Sequence, residues 1–324
     1  MSELIVSIVV PCYNEEEVLT ETIYRLDTLL RGLIELNKIS LRSRIWFIDD
    51  GSRDKTWSIV SATSELPKSL VCGIKLSRNR GHQAALMAGL MTATGDVLIS
   101  VDADLQDDLD AIPKMLDEYL SGSDIVYGVR SSRKCDTFFK RFTAEGYYAV
   151  LKTLGIEIIF NHADYRLMSR RAIEALRSFP ETGIFLRGII PQIGFKTAQV
   201  EYARSERFAG ESKYPLGKML ALAWQGVTSF SAAPLRVITT SGVIVSAISL
   251  CMGFWALWVR LFSEQTLPGW ASIVIPLFLL SGMQLLALGV IGEYLAKVFM
   301  ETKRRPMYFV DRVCQPAESG IDHD

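Results

Sequence analysis

Histidine is scarce in this chain of 324 residues: His82, His162 and His323 are all there are. Three histidines over that length argue against a histidine-rich metal centre and against a Ser-His-Asp triad. The five cysteines, Cys12, Cys72, Cys135, Cys251 and Cys314, contain no C-x-x-C pair and are odd in number. They read as reduced thiols, not as disulfides or zinc ligands. Net charge is missing too: 35 Lys and Arg face 36 Asp and Glu, a formal −1. That balance excludes a strongly basic nucleic-acid binder, and a 49% apolar composition excludes a disordered chain. There is no G-x-x-x-x-G-K-[ST] loop, which excludes a P-loop ATPase. No G-x-G-x-x-G follows a strand-like run, which excludes a dinucleotide oxidoreductase. The first residues lack a basic n-region and their apolar run is short, so no signal peptide is expected.

Charge is missing locally as well. Residues 235–259 hold one charged side chain, Arg236, and residues 271–296 hold one, Glu293. These two runs explain a mean hydropathy of +0.21, high for a chain whose remainder is as charged as a soluble protein. Each is long enough to cross a hydrocarbon core of ~30 Å as a helix. Arg204, Arg207, Lys213, Lys218 and Arg236 lie before or at the start of the first run; Lys297, Lys303, Arg304, Arg305 and Arg312 follow the second. The positive-inside rule then places both ends in the cytoplasm. Trp255, Trp258 and Trp270 lie near the connecting loop, as interfacial aromatics do. Glu293 is an intramembrane acid near the cytoplasmic end, either paired with Arg236, snorkelling, or functional. The expected organisation is a catalytic domain at 1–212, an interfacial helix at 213–234, a transmembrane hairpin at 235–300 and a cytoplasmic tail at 301–324.

The first 130 residues alternate short β-branched runs with longer amphipathic ones. Strands are expected at 5–10, 44–48, 71–76, 97–101 and 125–128, and helices at 15–36, 54–66, 81–94 and 109–120, with Ser52 a candidate N-cap. This order predicts an α/β fold with a mostly parallel, doubly wound sheet. Ligands bind such sheets at the carboxyl ends of the strands. Four strand ends carry polar residues: Pro11-Cys12-Tyr13-Asn14-Glu15, Asp49-Asp50-Gly51-Ser52, Ser77 through His82, and Asp102-Ala103-Asp104-Leu105-Gln106-Asp107. One alone reads as a turn; four on one sheet edge read as a site. In an extended segment residues i and i+2 point the same way. Asp102 and Asp104 would then share one side, with Gln106 a step further, an oxygen-rich set suited to Mg2+ or Mn2+. Such a cation neutralises a diphosphate leaving group, which points to a nucleoside-diphosphate substrate.

The segments Val9 through Glu15, Ile48 through Ser52 and Asp102 through Asp107 resemble the family-2 glycosyltransferases with a GT-A fold. Asp164-Tyr165-Arg166-Leu167-Met168-Ser169-Arg170, Arg207 through Tyr214, Thr228 through Ser231 and Gly292-Glu293-Tyr294 narrow the resemblance. The set is similar to the polyprenyl-phosphate glycosyltransferases, both the bactoprenol glucosyltransferases and the dolichol-phosphate mannose synthases, across about residues 4–312. The Q-x-x-R-W motif of processive synthases is absent.

The resemblance implies roles at matching positions. Pro11, Tyr13, Glu15 and Asp50 would line the uracil and ribose pocket. Asp102, Asp104 and Gln106 would hold the metal and diphosphate, and Arg207 and Lys213 would close over the diphosphate. Arg130 and Arg141 would bind the lipid phosphate, with Lys140 competing for the second place. Asp164 matches a position often proposed as the catalytic base; it either deprotonates the acceptor or orients it. His82 reads as a capping or pocket-wall residue. The implied reaction is inverting transfer of a hexose from a UDP-sugar donor to polyprenyl phosphate at the cytoplasmic membrane face. Glucose is the leading sugar; GlcNAc, galactose, mannose and 4-amino-arabinose stay open, as does a non-catalytic sugar-nucleotide-binding membrane subunit. An amphipathic helix within 213–231 would lie at the bilayer surface. Gly242, Gly282, Gly289 and Gly292 would allow homo-oligomer packing in the membrane.

Overall fold

The computed structural model describes residues 4–130, 162–179, 181, 186–203, 233–262 and 270–316. The described residues fall into two compact units, an α/β unit that includes the residues after Arg304, and a helical unit.

In the α/β unit the chain runs β1 (Val6–Cys12), α1 (Leu19–Glu35), β2 (Arg44–Asp49), α2 (Thr56–Ser64), β3 (Val71–Leu76), α3 (His82–Thr92), β4 (Val97–Ser100), α4 (Ala111–Leu120) and β5 (Ile125–Arg130). It continues with β6 (His162–Ser169), α5 (Arg170–Arg177), the short α6 (Leu186–Ile189), a 3-10 turn (Ile190–Ile193), β7 (Thr197–Tyr202) and, near the C-terminus, β8 (Val310–Cys314). The strands form one sheet in the order β7-β5-β6-β4-β1-β2-β3-β8.

The central strands are apolar at successive positions because both sheet faces are covered. Val6, Ile8, Val9 and Val10 of β1 and Ile45, Phe47 and Ile48 of β2 are all fully buried. α3 packs flush on this sheet. A Cβ on Gly89 would lie 2.4 Å from Val9 Cγ1 and 2.7 Å from Ile48 Cδ1, so the alanine and glycine content of α3 reflects close approach.

The expected elements are present, with three differences in their ends. Pro11 continues β1 instead of ending it. It pairs with Ile48 on β2, while the β4 ladder has already stopped at Val9 and Ser100, so the missing proline N–H leaves no bond unmade. α1 begins at Leu19, not at 15, because the preceding acidic run is spent on the neighbouring loop. There Glu15 N donates to Thr56 Oγ1, Glu16 N donates to Asp54 Oδ2, and Glu16 Oε2 accepts from Lys55 N. Ser52 does not cap α2. Its Oγ accepts from Asn14 N, and Asp54 supplies the acceptor for Thr56 N at the helix start.

The sheet is more mixed than the βα alternation predicts. β1, β2, β3 and β4 pair in parallel, as do β5 and β7. β6 runs antiparallel between β4 and β5, and β8 antiparallel along β3. The last strand was not foreseen: the segment expected as a tail returns to pair Gly73 with Cys314 and Ile74 with Val313.

The helical unit contains α7 (Ala233–Phe262) and α8 (Trp270–Thr302), which contact each other. Both expected membrane spans are helical. Among the described residues one stretch, Leu280–Thr302, is long and apolar enough to cross a membrane by length and composition. Large apolar side chains lie open on both helices, including Trp255, Trp258, Leu285 and Leu288.

Candidate functional site

The strand directions bring the polar strand ends together. β1, β2, β3 and β4 deliver their carboxyl ends to one edge of the sheet. β6 is antiparallel, so it delivers its first residues there, and β5 and β7 deliver Arg130 and Tyr202. Of the sequence candidates, Pro11, Tyr13, Glu15, Asp50, Asp102, Asp104, Gln106, Arg130 and Asp164 lie along this edge. Arg141, Lys140, Arg207, Lys213 and the expected interfacial helix lie outside the described residues.

At the β2 end, Asp50 is buried and both of its carboxylate oxygens accept backbone N–H groups, from Arg80 at 2.7 Å and Gly81 at 2.8 Å. It therefore ties the β2 turn to the loop entering α3. Burial raises its carboxyl and neighbouring Asp49 adds to that, against the two amides. Asp49 is fully buried: Oδ1 accepts from Ser52 N at 3.0 Å, and Oδ2 has no hydrogen-bond partner among the described residues. Gly51 has φ +69°, and a Cβ there would lie 2.7 Å from the backbone of Arg78 and Asn79. Gly51→Ala should therefore force this turn open. A destabilisation of about 2 kcal/mol or more is expected from the left-handed conformation and the clash. Thermal melting against the wild type tests it, and an unchanged melting temperature would contradict the packing.

The loop after β4 is a turn and not an extended segment, with Leu105 in the left-handed region at φ +55°. The extended geometry from which Asp102 and Asp104 were expected to share a side is therefore absent; both are half-buried while Ala103 between them is buried. Neighbours pin the loop. Thr22 of α1 donates to the Ala103 carbonyl at 2.9 Å, and Tyr165 Oη donates to the Asp108 carbonyl at 3.0 Å. Gln106 is buried, and its N–H donates to Asp104 Oδ1 at 3.3 Å. Tyr202 Oη donates to Asp107 Oδ1 at 2.6 Å and accepts from Arg130 Nε at 3.2 Å, with Arg130 Nη2 3.8 Å from the same carboxylate oxygen. Arg130 is thus tied through Tyr202 to the loop that carries the two aspartates. Tyr202 carries no motif, and the sequence did not mark it.

Asp164 on β6 sits deeper, its side chain 8% exposed. Oδ1 accepts from Arg166 Nη2 and, at 3.2 Å, from Arg187 Nε; Oδ2 accepts from Arg187 Nη2 at 3.1 Å. His82 Nε2, at the start of α3, lies 3.5 Å from Asp164 Oδ2 and 3.7 Å from Asp102 Oδ1, joining the two acids. Burial alone would raise the Asp164 carboxyl; the His82 hydrogen bond and the two guanidinium groups outweigh it and hold the group well below the usual carboxylate range. Asp102 shows the reverse. Burial raises it to about 6, and Asp107, Asp164 and Asp104 add to that against His82. The 102–107 loop is thus a crowd of mutually repelling carboxylates, and the side chains of Asp102, Asp104 and Gln106 offer the hard oxygen donors a divalent cation takes. Among the described residues no group of three or more His, Cys, Asp or Glu is placed to hold a metal ion. Arg166 and Arg187 were both missed at the sequence level; the available signal was an arginine inside the apolar run 183–190.

The sequence model of Glycosyl transferase family 2 matches residues 7–177, from β1 to the end of α5. An uncharacterized glycosyltransferase of Bacillus subtilis, YkoT, is 50% identical over 96% of this chain and 92% of its own. A prophage bactoprenol glucosyl transferase homolog of Escherichia coli is 39% identical over 95% of this chain and 99% of its own. The bactoprenol glucosyl transferase of Shigella phage SfX is 39% identical over 94% and 98%. Among solved structures, glucosyl-3-phosphoglycerate synthase from Mycobacterium tuberculosis, in complex with Mn2+, UDP-glucose and phosphoglyceric acid, covers 69% of this chain and 78% of its own at 19% identity and a TM-score of 0.49. With the family model spanning more than half of the chain, and relatives near 40% identity spanning nearly all of it, the chain belongs to glycosyl transferase family 2.

Proposed function

We propose that the protein transfers glucose from UDP-glucose to undecaprenyl or another polyprenyl phosphate, with inversion, at the cytoplasmic face of a membrane that α7 and α8 both cross. The observation that carries this reading is the sheet edge itself. It sets an acidic loop, Asp102 to Asp107, beside a cationic set, Arg130, Arg166 and Arg187, on a chain that is 39% identical over nearly its whole length to bactoprenol glucosyl transferases. Two anionic substrates, a diphosphate and a phosphate monoester, call for that combination.

Pro11, Tyr13, Glu15 and Asp50 would form the nucleoside pocket, Asp50 by holding the Arg80–Gly81 backbone in place. Asp102, Asp104 and Gln106 would hold Mg2+ or Mn2+, which neutralises the departing diphosphate when bound. Arg207 and Lys213 would contact that diphosphate, and Arg130 and Arg141 the lipid phosphate. The lipid phosphate oxygen attacks the anomeric carbon from the face opposite UDP. Its second pKa is near 6, so it arrives largely ionised at neutral pH and needs little help losing a proton. Asp164 would therefore orient cationic groups and not serve as base.

Membranes holding the full chain, supplied with polyprenyl phosphate and a panel of labelled sugar nucleotides, test the reading. Cation-dependent appearance of label from UDP-glucose in the lipid fraction is expected. Label from a different sugar alone would replace glucose, and no lipid-linked label from any donor would sink the reading.

The tie between Arg130 and the acidic loop gives a narrower prediction. Tyr202→Phe keeps the edge-to-face packing of the ring on Tyr165, at 5.2 Å between centroids, and removes the hydroxyl between Asp107 and Arg130. A hydrogen bond to a charged group contributes about 1.5–3 kcal/mol, so kcat/KM for polyprenyl phosphate should fall about tenfold or more. Steady-state kinetics with the acceptor varied check this; wild-type constants would remove Tyr202 from the acceptor side.

A further inference from the structure

Of the four polar strand ends, the one after β3, Ser77 through His82, has no substrate role in the glycosyl-transfer reading. Its loop leans on the β2 turn. Asp50 accepts from Arg80 N and Gly81 N, and a Cβ on Gly51 would lie 2.7 Å from the backbone of Arg78 and Asn79. Among the described residues, the amides from Ser77 to Gly81 that find an acceptor are those two and Ser77 N. Ser77 N donates to the Phe309 carbonyl at 2.9 Å. The loop thus hangs from two points, and the second belongs to the segment that follows α8.

β3 ends at Leu76 and β8 begins at Val310, so the Ser77–Phe309 bond carries the pairing one step past the ladder and onto the loop. The register skips Asp311 just before that point: Lys75 faces Arg312 and Leu76 faces Val310. A bulge of this kind bends its strand and re-aims what lies next to it. The other end of β8 is fixed by a fit. A Cβ on Gly73 would lie 2.6 Å from Cys314 Sγ and 2.6 Å from Val60 Cγ1, so the missing side chain leaves the room that the Cys314 thiol takes beside α2. Between these ends Val310 and Val313 are exposed. β8 therefore gains little from apolar burial, and its main contribution is main-chain bonding. A strand that only covered the β3 edge would stop with the ladder.

We propose that β8 positions the donor side of the site. Through the Phe309 carbonyl it fixes the loop whose other anchor is Asp50, and so raises the affinity of the edge for a nucleoside diphosphate. This rests on the glycosyl-transfer reading and extends its donor pocket to a segment outside the matched residues 7–177. Linkage makes the effect reciprocal: whatever β8 adds to nucleotide affinity, bound nucleotide returns as stability of β8.

Two measurements on the full chain in detergent test this. The first is hydrogen exchange of the wild type with and without UDP. Exchange at Ser77, Arg80 and Gly81 and along Val310–Cys314 should slow together when UDP binds. The second is calorimetric titration of two variants with UDP and, separately, with farnesyl phosphate. Ser77→Pro deletes the donor N–H, and Leu76 before it is already extended, as a following proline requires. Gly73→Val crowds out Cys314 at the far end of the strand. Each variant should bind UDP about fivefold more weakly, the scale for one main-chain hydrogen bond, and should bind farnesyl phosphate as the wild type does. In transfer assays the KM for the donor should rise with kcat little changed. Unchanged UDP affinity in the folded variants, with only a lower melting temperature, would overturn the proposal in favour of a structural edge strand. So would β8 amides that exchange at the same rate with and without UDP, and this result decides alone if neither variant folds. A wild type that binds UDP but transfers no sugar would sink the reaction and leave the role of β8 to these same readings. A wild type that binds no UDP would sink both.

Discussion

Asp164→Asn is expected to lose both stability and turnover, and the way turnover is lost separates two roles. Asparagine keeps the volume of the side chain and removes its charge. Arg166, 1% exposed, is then left as a buried cation without its counter-ion. Breaking a buried pair from one side costs about 3–5 kcal/mol, and the amide oxygen that remains as an acceptor puts the expectation near the lower end. The melting temperature should fall by several degrees. At a temperature where the variant is folded, the acceptor KM should rise strongly while kcat falls less. The physical reason is that a carboxylate engaged by guanidinium groups on both oxygens, and held well below the usual range, is a weak base. An already ionised phosphate has little need of one. Arg187→Gln should add little further loss in the Asp164→Asn background, because both changes dismantle one unit. Near-complete loss of kcat with wild-type acceptor affinity would instead make Asp164 a chemical participant.

The parts of this site that were legible in the sequence are those written in consecutive residues. β1, β2 and β4 announce themselves as apolar runs because both faces are buried, and their polar ends follow directly in the chain. Asp49, Asp50, Asp102, Asp104 and Gln106 are thus placed on one edge by the sequence pattern alone. Asp164 was found only through resemblance, since nothing in its own surroundings marks a β6 that runs against its neighbours. Its partners were illegible for a reason of topology. Arg187 lies 23 residues further on and Tyr202 lies 95 residues beyond Asp107, and the contacts exist because β6 inserts antiparallel between β4 and β5. β8 was missed for a similar reason. Its described residues are mostly exposed, so it lacks the apolar run that marks a buried strand, and its place on the sheet comes from pairing with β3. The length of the two helices, by contrast, was plain from their lack of charge.

The near-neutral total charge conceals two local fields of opposite sign. The 102–107 loop concentrates negative charge: burial, with Asp107, Asp164 and Asp104 nearby, raises the Asp102 carboxyl to about 6. Across His82 and Asp164 the balance swings to the guanidinium groups of Arg166 and Arg187. A divalent cation at the first place and a phosphate at the second would satisfy both fields at once.

Asp104→Ala should show this most directly, by abolishing cation-dependent transfer while leaving the fold intact. Asp104 is half-buried, and the loop that holds it is fixed by other residues: Thr22 on the Ala103 carbonyl, Tyr202 on Asp107 and Tyr165 on the Asp108 carbonyl. Among the bonds the truncation removes is the one that Asp104 Oδ1 accepts from Gln106 N–H at 3.3 Å. The melting temperature should therefore stay within a few degrees of the wild type. Activity should fall by about a thousandfold or more, since losing the group that offsets charge on a leaving diphosphate acts on the transition state more than on binding. Excess Mn2+ should not restore it, whereas EDTA should reduce the wild type to the same residual rate and Mn2+ should rescue that. Full transfer by the variant, or by the wild type in EDTA, would leave the acidic loop without a metal to hold. Its crowding would then have to be offset by the arginines alone, and Arg130, already tied to Asp107 through Tyr202, would become the residue on which donor binding depends.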